Sequence, residues 1–270
     1  MLSKNFAGRF ELVRFPPVHL IKPEEVLKLQ DELQSCGLLL AQRITEDFRG
    51  GIGLGTNTLN DLCPPASSVL TWPNVYWTGY NPELFYLKNK HNRASFTDGF
   101  DYHHRAIFAG YLEGKSVNEV IQDLLSDDRF AADVNSAESS LKDLREKELE
   151  LDLKAVPCIL ENYRDRRLFW TFNHPSQFVI LDLARQVLHA LGLTDDLPAA
   201  PPREVLNTTI YPIMPGTHTA LGLKFNRDDL FKIRNKTMQT LDVVREYYNL
   251  YERIPEIVEH NRAEALPVVI

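Results

Sequence analysis

Residues 166–192, RRLFWTFNHPSQFVILDLARQVLHALG, carry a proline near their middle, and that ring limits what the segment can be. Pro175 lacks an N–H and holds φ fixed, so it suits a corner or a first helical turn and not a helix interior or a central strand. Before it, Leu168-Phe169-Trp170-Thr171-Phe172 is a short apolar run bounded by charge on one side and by Asn173-His174 on the other, the pattern of a buried strand. After it, Phe178, Leu181, Val187, Leu188 and Leu191 give a helix its buried side, and Gly192 is a C-terminal stop. The expected unit is strand, polar corner, helix. His174 stands at the carboxyl end of the strand, where ligands gather in open α/β sheets, and is the leading functional candidate. The plainer reading is that Asn173 and His174 cap a helix or bond a turn.

Taken in order, the chain reads as α/β: a small, mostly parallel sheet with helices on both faces and large helical additions, cradle-like. Residues 10–15 alternate in the strand manner until Pro16-Pro17. Pro23-Glu24-Glu25 opens a helix to about residue 35, and residues 36–41 form a buried strand ending at Gln42. Helix followed by buried strand is a crossover unit, which predicts parallel pairing. The run from Arg49 to Asn57 is glycine-rich, but its spacing is neither GxGxxG nor GxxxxGK[ST], so it is a surface or ligand-facing loop with Arg49 its only cation. Val69-Leu70 and Val75-Tyr76-Trp77 lead as strand into the corner Thr78-Gly79-Tyr80-Asn81-Pro82.

Residues 96–111 gather Asp98, Asp101, Tyr102, His103, His104 and Arg105. Asp101 and His104 can share a helix face as a metal pair, yet no third ligand joins them at a defined spacing. The preferred role for these His and Arg side chains is hydrogen bonding or facing an anion. Ser116-Val117-Asn118-Glu119 has the form of a capping box, residues 137–153 read as a solvated helix over Leu141 and Leu144, and Pro157 begins another helical segment. Residues 194–202 are a linker or wrapping loop, residues 210–223 irregular cover, and Asn226-Arg227-Asp228-Asp229 cap a long final helix that ends before Pro255. The expected organisation is an α/β core over residues 1–193, with a helical insertion at about 96–165. Residues 194–270 then wrap the same domain.

Thirty Lys and Arg against 37 Asp and Glu give a formal charge of −7, which removes any global attraction to nucleic acid or anionic lipid. Cys36, Cys63 and Cys158 are odd in number and lack CxxC spacing, so neither a disulfide framework nor a zinc site is indicated, and a reducing cytoplasm fits. No run has the length of a signal-peptide core or of a membrane span.

Five runs, in order, resemble the WcbI polysaccharide-biosynthesis family: LLLAQRITEDFR from residue 38, WPNVYWTGYNPEL from 72, FDYHHRAIFAGYLEG from 100, LKDLREKE from 141 and LFWTFNHPS from 168. The similarity spans about residues 18–192, and its most specific parts are Gly79-Tyr80-x-Pro82 and Asn173-His174-Pro175. The resemblance implies a bacterial, cytoplasmic O-acetyltransferase of capsule or surface-polysaccharide assembly that holds coenzyme A in a deep cradle. It also implies a sugar or polysaccharide acceptor and other biosynthesis proteins as partners. Family members typically start with a strand ending in a Gly-Asn-Cys-Gln motif, which this chain does not carry, so the expectation is a true start upstream or a shortened member.

Transfer from acetyl-CoA needs a base for the sugar hydroxyl, a donor for the oxyanion and cations for the pyrophosphate. On this reading His174 is the base, and Asn173 and Gln42 are the donors. Gly79, Tyr80, His103 and His104 contact substrate, while Arg49, Arg105 and Arg145 meet phosphate. No metal is expected. The alternatives are a non-catalytic CoA- or glycan-binding member and an SGNH-like esterase, the latter opposed by the missing nucleophile motif.

Overall fold

A computed structural model describes residues 2–90, 93–96, 99–126, 133–194 and 200–265. In chain order the elements are α1 Ser3–Phe6, α2 Pro23–Leu33, β1 Leu38–Gln42, α3 Thr56–Leu62, β2 Ser68–Trp72, β3 Leu84–Phe85, β4 His103–His104, α4 Arg105–Leu112 and α5 Val117–Leu125. There follow α6 Asp133–Glu148, α7 Val156–Asn162, α8 Gln177–Ala190, α9 Pro215–Ala220, β5 Phe231–Ile233, β6 Lys236–Met238, α10 Thr240–Arg253 and α11 Pro255–His260. The chain resolves into two compact units. The first is Met1–Val75, Leu144–Cys158 and Phe178–Pro202; the second is Tyr76–Asp143, Ile159–Gln177 and Arg203–Ile270.

In the first unit Pro23 opens α2 and the Glu25 carboxylate accepts from the Lys22 N–H at 2.8 Å, satisfying a donor that the first turn leaves free. Val26, Leu29 and Leu33 fall on one face and pack with Ile21, Leu54 and Leu59. β1 and β2 pair in parallel from Leu38↔Ser68 to Gln42↔Trp72, the small parallel sheet that the crossover pattern predicts. Between them Glu46 accepts from the Asn57 N–H at 2.8 Å and the Thr58 hydroxyl at 2.7 Å at the start of α3, and these bonds lower its pKa. α8 stops at Gly192, whose φ of +70° is the left-handed conformation that glycine adopts freely. Its buried side is Val179, Leu183, Ala184, Val187 and Leu188, so Phe178 and Leu181 lie at the edge of the expected stripe.

In the second unit β3 and β4 pair antiparallel, Leu84↔His104 and Phe85↔His103. The core around them draws Phe108 from α4, Leu124 from α5, and Val243, Val244, Tyr247 and Tyr251 from α10. The capping box at Ser116 is present, with the Ser116 N–H on the Glu119 carboxylate at 2.8 Å.

Several expected elements are replaced: β2 ends at Trp72, so residues 75–77 are not strand, and residues 215–220 of the expected irregular cover form α9. Residues 10–15 form no strand: Phe10, Leu12 and Val13 are 37%, 43% and 56% exposed, and an alternating pattern without a partner edge gains neither ladder bonds nor burial. The final helix starts at Thr240 and not near Asn226, because residues 231–238 fold as the β5–β6 hairpin. Its turn residues Arg234 and Asn235 have φ of 46° and 67°, the double left-handed pair that a two-residue hairpin loop requires. Residues 168–172 form a turn, described below. Asp98 and residues 195–199 of the expected linker lie outside the described residues.

Candidate functional site

The polar corner before α8 is tighter than a strand end. Phe169 bridges Pro175 across it, the Trp170 N–H bonds the His174 carbonyl at 2.9 Å, and the Ser176 N–H bonds the Leu168 carbonyl at 2.7 Å. The chain therefore reverses within residues 169–175, and Pro175 sits at the exit of that reversal, two residues before α8. The Phe172 carbonyl accepts from the Trp77 N–H at 2.8 Å and the Trp170 carbonyl from the Tyr211 N–H at 3.0 Å, which fixes the corner on both sides.

This reversal turns Asn173 and His174 toward a set of aromatic hydroxyls. Asn173 Nδ2 donates to the Tyr86 hydroxyl at 2.9 Å, while its Oδ1 accepts from Tyr102 at 2.7 Å and from the Thr171 hydroxyl at 3.0 Å. The amide is held at both ends. Tyr102 also meets His174 Nε2 at 3.2 Å, their rings 5.7 Å apart. The His174 Nδ1 atom is buried without a hydrogen-bond partner among the described residues. Burial lowers the His174 pKa and the Arg93 charge adds to that, while the Thr209 backbone favours the charged ring. The imidazole is therefore neutral near pH 7. Arg93 lies 3.5 Å above the Tyr86 ring, 44% of its side chain exposed, with Asp101 at 3.7 Å.

The other candidates occupy defined places. Tyr80 is buried, its hydroxyl directed at the carbonyls of Tyr163, at 2.6 Å, and Arg166, at 3.0 Å. Gly79 lies against the Trp77 indole. His103 is 0% exposed among Phe85, Phe96, Tyr247 and Tyr251, with Nδ1 on the Tyr251 hydroxyl at 3.0 Å. His104 caps α4 by accepting the Ala106 N–H at 3.3 Å, and Glu83 lies 3.4 Å from the same nitrogen. Arg105 pairs with Glu264 at 2.8 Å. Asp101 accepts from the Phe96 N–H at 3.0 Å. No group of three or more His, Cys, Asp or Glu that could hold a metal ion is present among the described residues.

Gln42, Arg49 and Arg145 belong to the first unit. Gln42 is exposed at the end of β1, Arg49 donates to the Ile21 carbonyl from a left-handed backbone (φ 53°), and Arg145 is exposed in the last turn of α6.

Of the expected site residues, then, Asn173 and His174 come together around Tyr102, which stands beside the two histidines in the sequence without a role assigned to it. Tyr86 and Arg93 were missed. The available signal was a tyrosine directly beside two histidines in FDYHHR, but the partners it selects are 71 and 72 residues away.

His103 carries a prediction of its own. Burial, with a smaller contribution from Arg93, pushes its pKa from 6.5 down to about 3. Between those values the unfolded chain binds a proton that the folded chain refuses, so this contribution is complete above pH 6.5 and is lost as the pH falls toward 3, on the order of 5 kcal/mol in all. Urea unfolding of His103→Phe against wild type between pH 7 and 4 should show the variant losing less stability on acidification.

Residues 1–196 match the sequence family of the polysaccharide biosynthesis enzyme WcbI. No curated protein matches the sequence. A solved structure described as native WcbI, a polysaccharide biosynthesis enzyme, without a disulfide bond between CoA and one of its cysteines, is similar at a TM-score of 0.83 and 21% identity. That likeness covers 97% of this chain and 90% of that one and is a likeness of fold. Among the described residues no helix is long and apolar enough to cross a membrane. With a match that runs through well over half of its length, the chain belongs to the WcbI family of polysaccharide biosynthesis enzymes.

Proposed function

We propose that the chain transfers an acetyl group from acetyl-CoA to a sugar hydroxyl in polysaccharide assembly, with His174 as general base. The observation that carries this reading is His174 Nε2 on the Tyr102 hydroxyl, which Asn173 holds in place, in buried surroundings that lower the imidazole pKa. Tyr102 has a single hydroxyl proton, so for Nε2 to act as the base that proton turns from Asn173 Oδ1 to Nε2, and the Tyr102 oxygen takes up the proton of the acceptor hydroxyl as its own passes to Nε2. Asn173 uses one N–H on Tyr86 and keeps a second for a developing oxyanion.

Acetyl-CoA, the second substrate, supplies an acyl group activated as a thioester, so the chain needs no nucleophile of its own. The residues around Tyr86 suit an anionic ligand: the Arg93 guanidinium is half-exposed, flat on an aromatic ring, and engaged by Asp101 only at 3.7 Å, leaving N–H groups for phosphate. The similar solved structure is described in connection with CoA, which supports the same class of donor.

The test is to incubate the protein with acetyl-CoA and a panel of sugars, reading released thiol and acetylated sugar by mass. Both products should appear in equal amounts. Calorimetric binding of CoA with no acetylated product from any acceptor would replace this reading with that of a binding protein. Acetate release from acetylated sugar without CoA would replace it with an esterase.

A further inference from the structure

We propose that Cys36 and Cys63 form a dithiol that low-molecular-weight disulfides oxidise reversibly to an intramolecular disulfide, a modification site in the first unit that is independent of the acetyl-transfer reading. The cysteines are 27 residues apart in sequence, yet their sulfurs lie 3.4 Å from each other. Cys36 follows α2 and Cys63 caps the end of α3, and both are half-buried against the cluster of Leu29, Leu33 and Leu59. Their backbones are held: the Cys36 N–H bonds the Leu33 carbonyl at 3.2 Å, the Ser67 hydroxyl bonds the Cys36 carbonyl at 2.6 Å, and the Cys63 N–H bonds the Asn60 carbonyl at 3.0 Å. Bringing the sulfurs to the covalent distance of about 2.05 Å is a side-chain movement of a little over 1 Å. Cys158 is buried.

The two thiols are not equivalent. Cys63 donates to the Leu59 carbonyl at 3.3 Å, and burial, reinforced by Cys36, pushes its pKa up to about 12. The Cys63 S–H is engaged by the Leu59 carbonyl, which leaves Cys36 as the attacking group. The Cys36 thiolate attacks one sulfur of the disulfide RSSR, breaking its S–S bond and releasing one RS⁻. Cys63, giving up its proton, then displaces the second RS⁻ from the mixed disulfide. Two protein thiols are oxidised, RSSR is reduced to two RSH, and the two protein protons leave on them. The bond closes a ring around β1, the glycine loop and α3. That ring contains Gln42 and Arg49, so oxidation tethers both ends of the segment that carries them.

The experiment uses the full chain, fully reduced and then equilibrated in glutathione buffers of rising oxidised fraction. Two of the three thiols should disappear together, unreduced peptide maps should show a Cys36–Cys63 link, and dithiothreitol should restore all three. Cys63→Ser should accumulate a glutathione adduct on Cys36, whereas Cys36→Ser should take up glutathione much more slowly. Amide exchange over residues 43–58 should slow in the oxidised protein. Three thiols surviving at every buffer composition, a link through Cys158, a wild-type adduct that never resolves, or unchanged exchange after linkage would each overturn the proposal.

Discussion

Replacing His174 with alanine is expected to lower kcat/KM for acetyl transfer by about 10²–10⁴-fold, the range general-base catalysis contributes, while leaving CoA affinity within a few fold. The reason is local. His174 Nε2 shares the Tyr102 hydroxyl, and Tyr102 is in turn anchored on Asn173 Oδ1. Removing the imidazole takes away the proton acceptor, whereas the Arg93 and Tyr86 stack, bonded to Asn173 Nδ2 through the Tyr86 hydroxyl, stays in place. Calorimetry with CoA beside steady-state rates separates the two effects. Equal turnover by variant and wild type would remove His174 from the chemistry, and a parallel loss of CoA binding would recast it as a structural residue.

Gly79→Ala should unfold the protein at a markedly lower temperature, although one methyl is all that it adds. A Cβ at position 79 would stand 2.1, 2.3 and 2.7 Å from three carbons of the Trp77 indole. Trp77 is held on several sides: it is 1% exposed, donates from Nε1 to the Ala137 carbonyl at 3.2 Å, and packs against Tyr80, Tyr163 and Phe169 with ring centroids 4.7, 5.5 and 5.6 Å away. Overpacking a rigid core typically costs about 1–3 kcal/mol and more where no neighbour yields, which in a chain of this size lowers Tm by roughly 3–10 °C. Gly37→Ala is the control, since a Cβ there meets nothing within 4 Å and its φ is not left-handed. Identical melting of Gly79→Ala and wild type would show that the corner has room the geometry denies it.

Gly79-Tyr80 stands out as a motif, yet here both residues serve packing: the glycine makes way for an indole, and the tyrosine's hydroxyl is taken by the carbonyls of Tyr163 and Arg166. What was legible depends on local chemistry. Pro23 at the head of α2, the apolar run that becomes β1, the Ser116–Glu119 box and Gly192 each act within a few residues of where they stand. What was not legible depends on distant partners. Residues 168–172 have the composition of a strand but lack a neighbouring one, and their carbonyls are satisfied by Trp77 and Tyr211 instead. The β5–β6 hairpin hid behind hydrophobic spacing that suits a helix equally well, and only the Arg234-Asn235 turn, unusual in composition, forces the reversal. The role of Tyr102 and the Cys36–Cys63 pairing were hidden for the same reason: each acquires its meaning from a contact between residues far apart in sequence.

The measurement closest to the central claim is the pH dependence of kcat/KM for acetyl transfer by the wild-type protein. A base whose pKa is lowered by burial stays unprotonated below the usual histidine value of 6.5, so the rate should hold through pH 6.5 and fall only at lower pH, with the His174→Ala variant losing that acid limb. An acid limb at or above 6.5, or one that persists unchanged in the variant, would contradict the account.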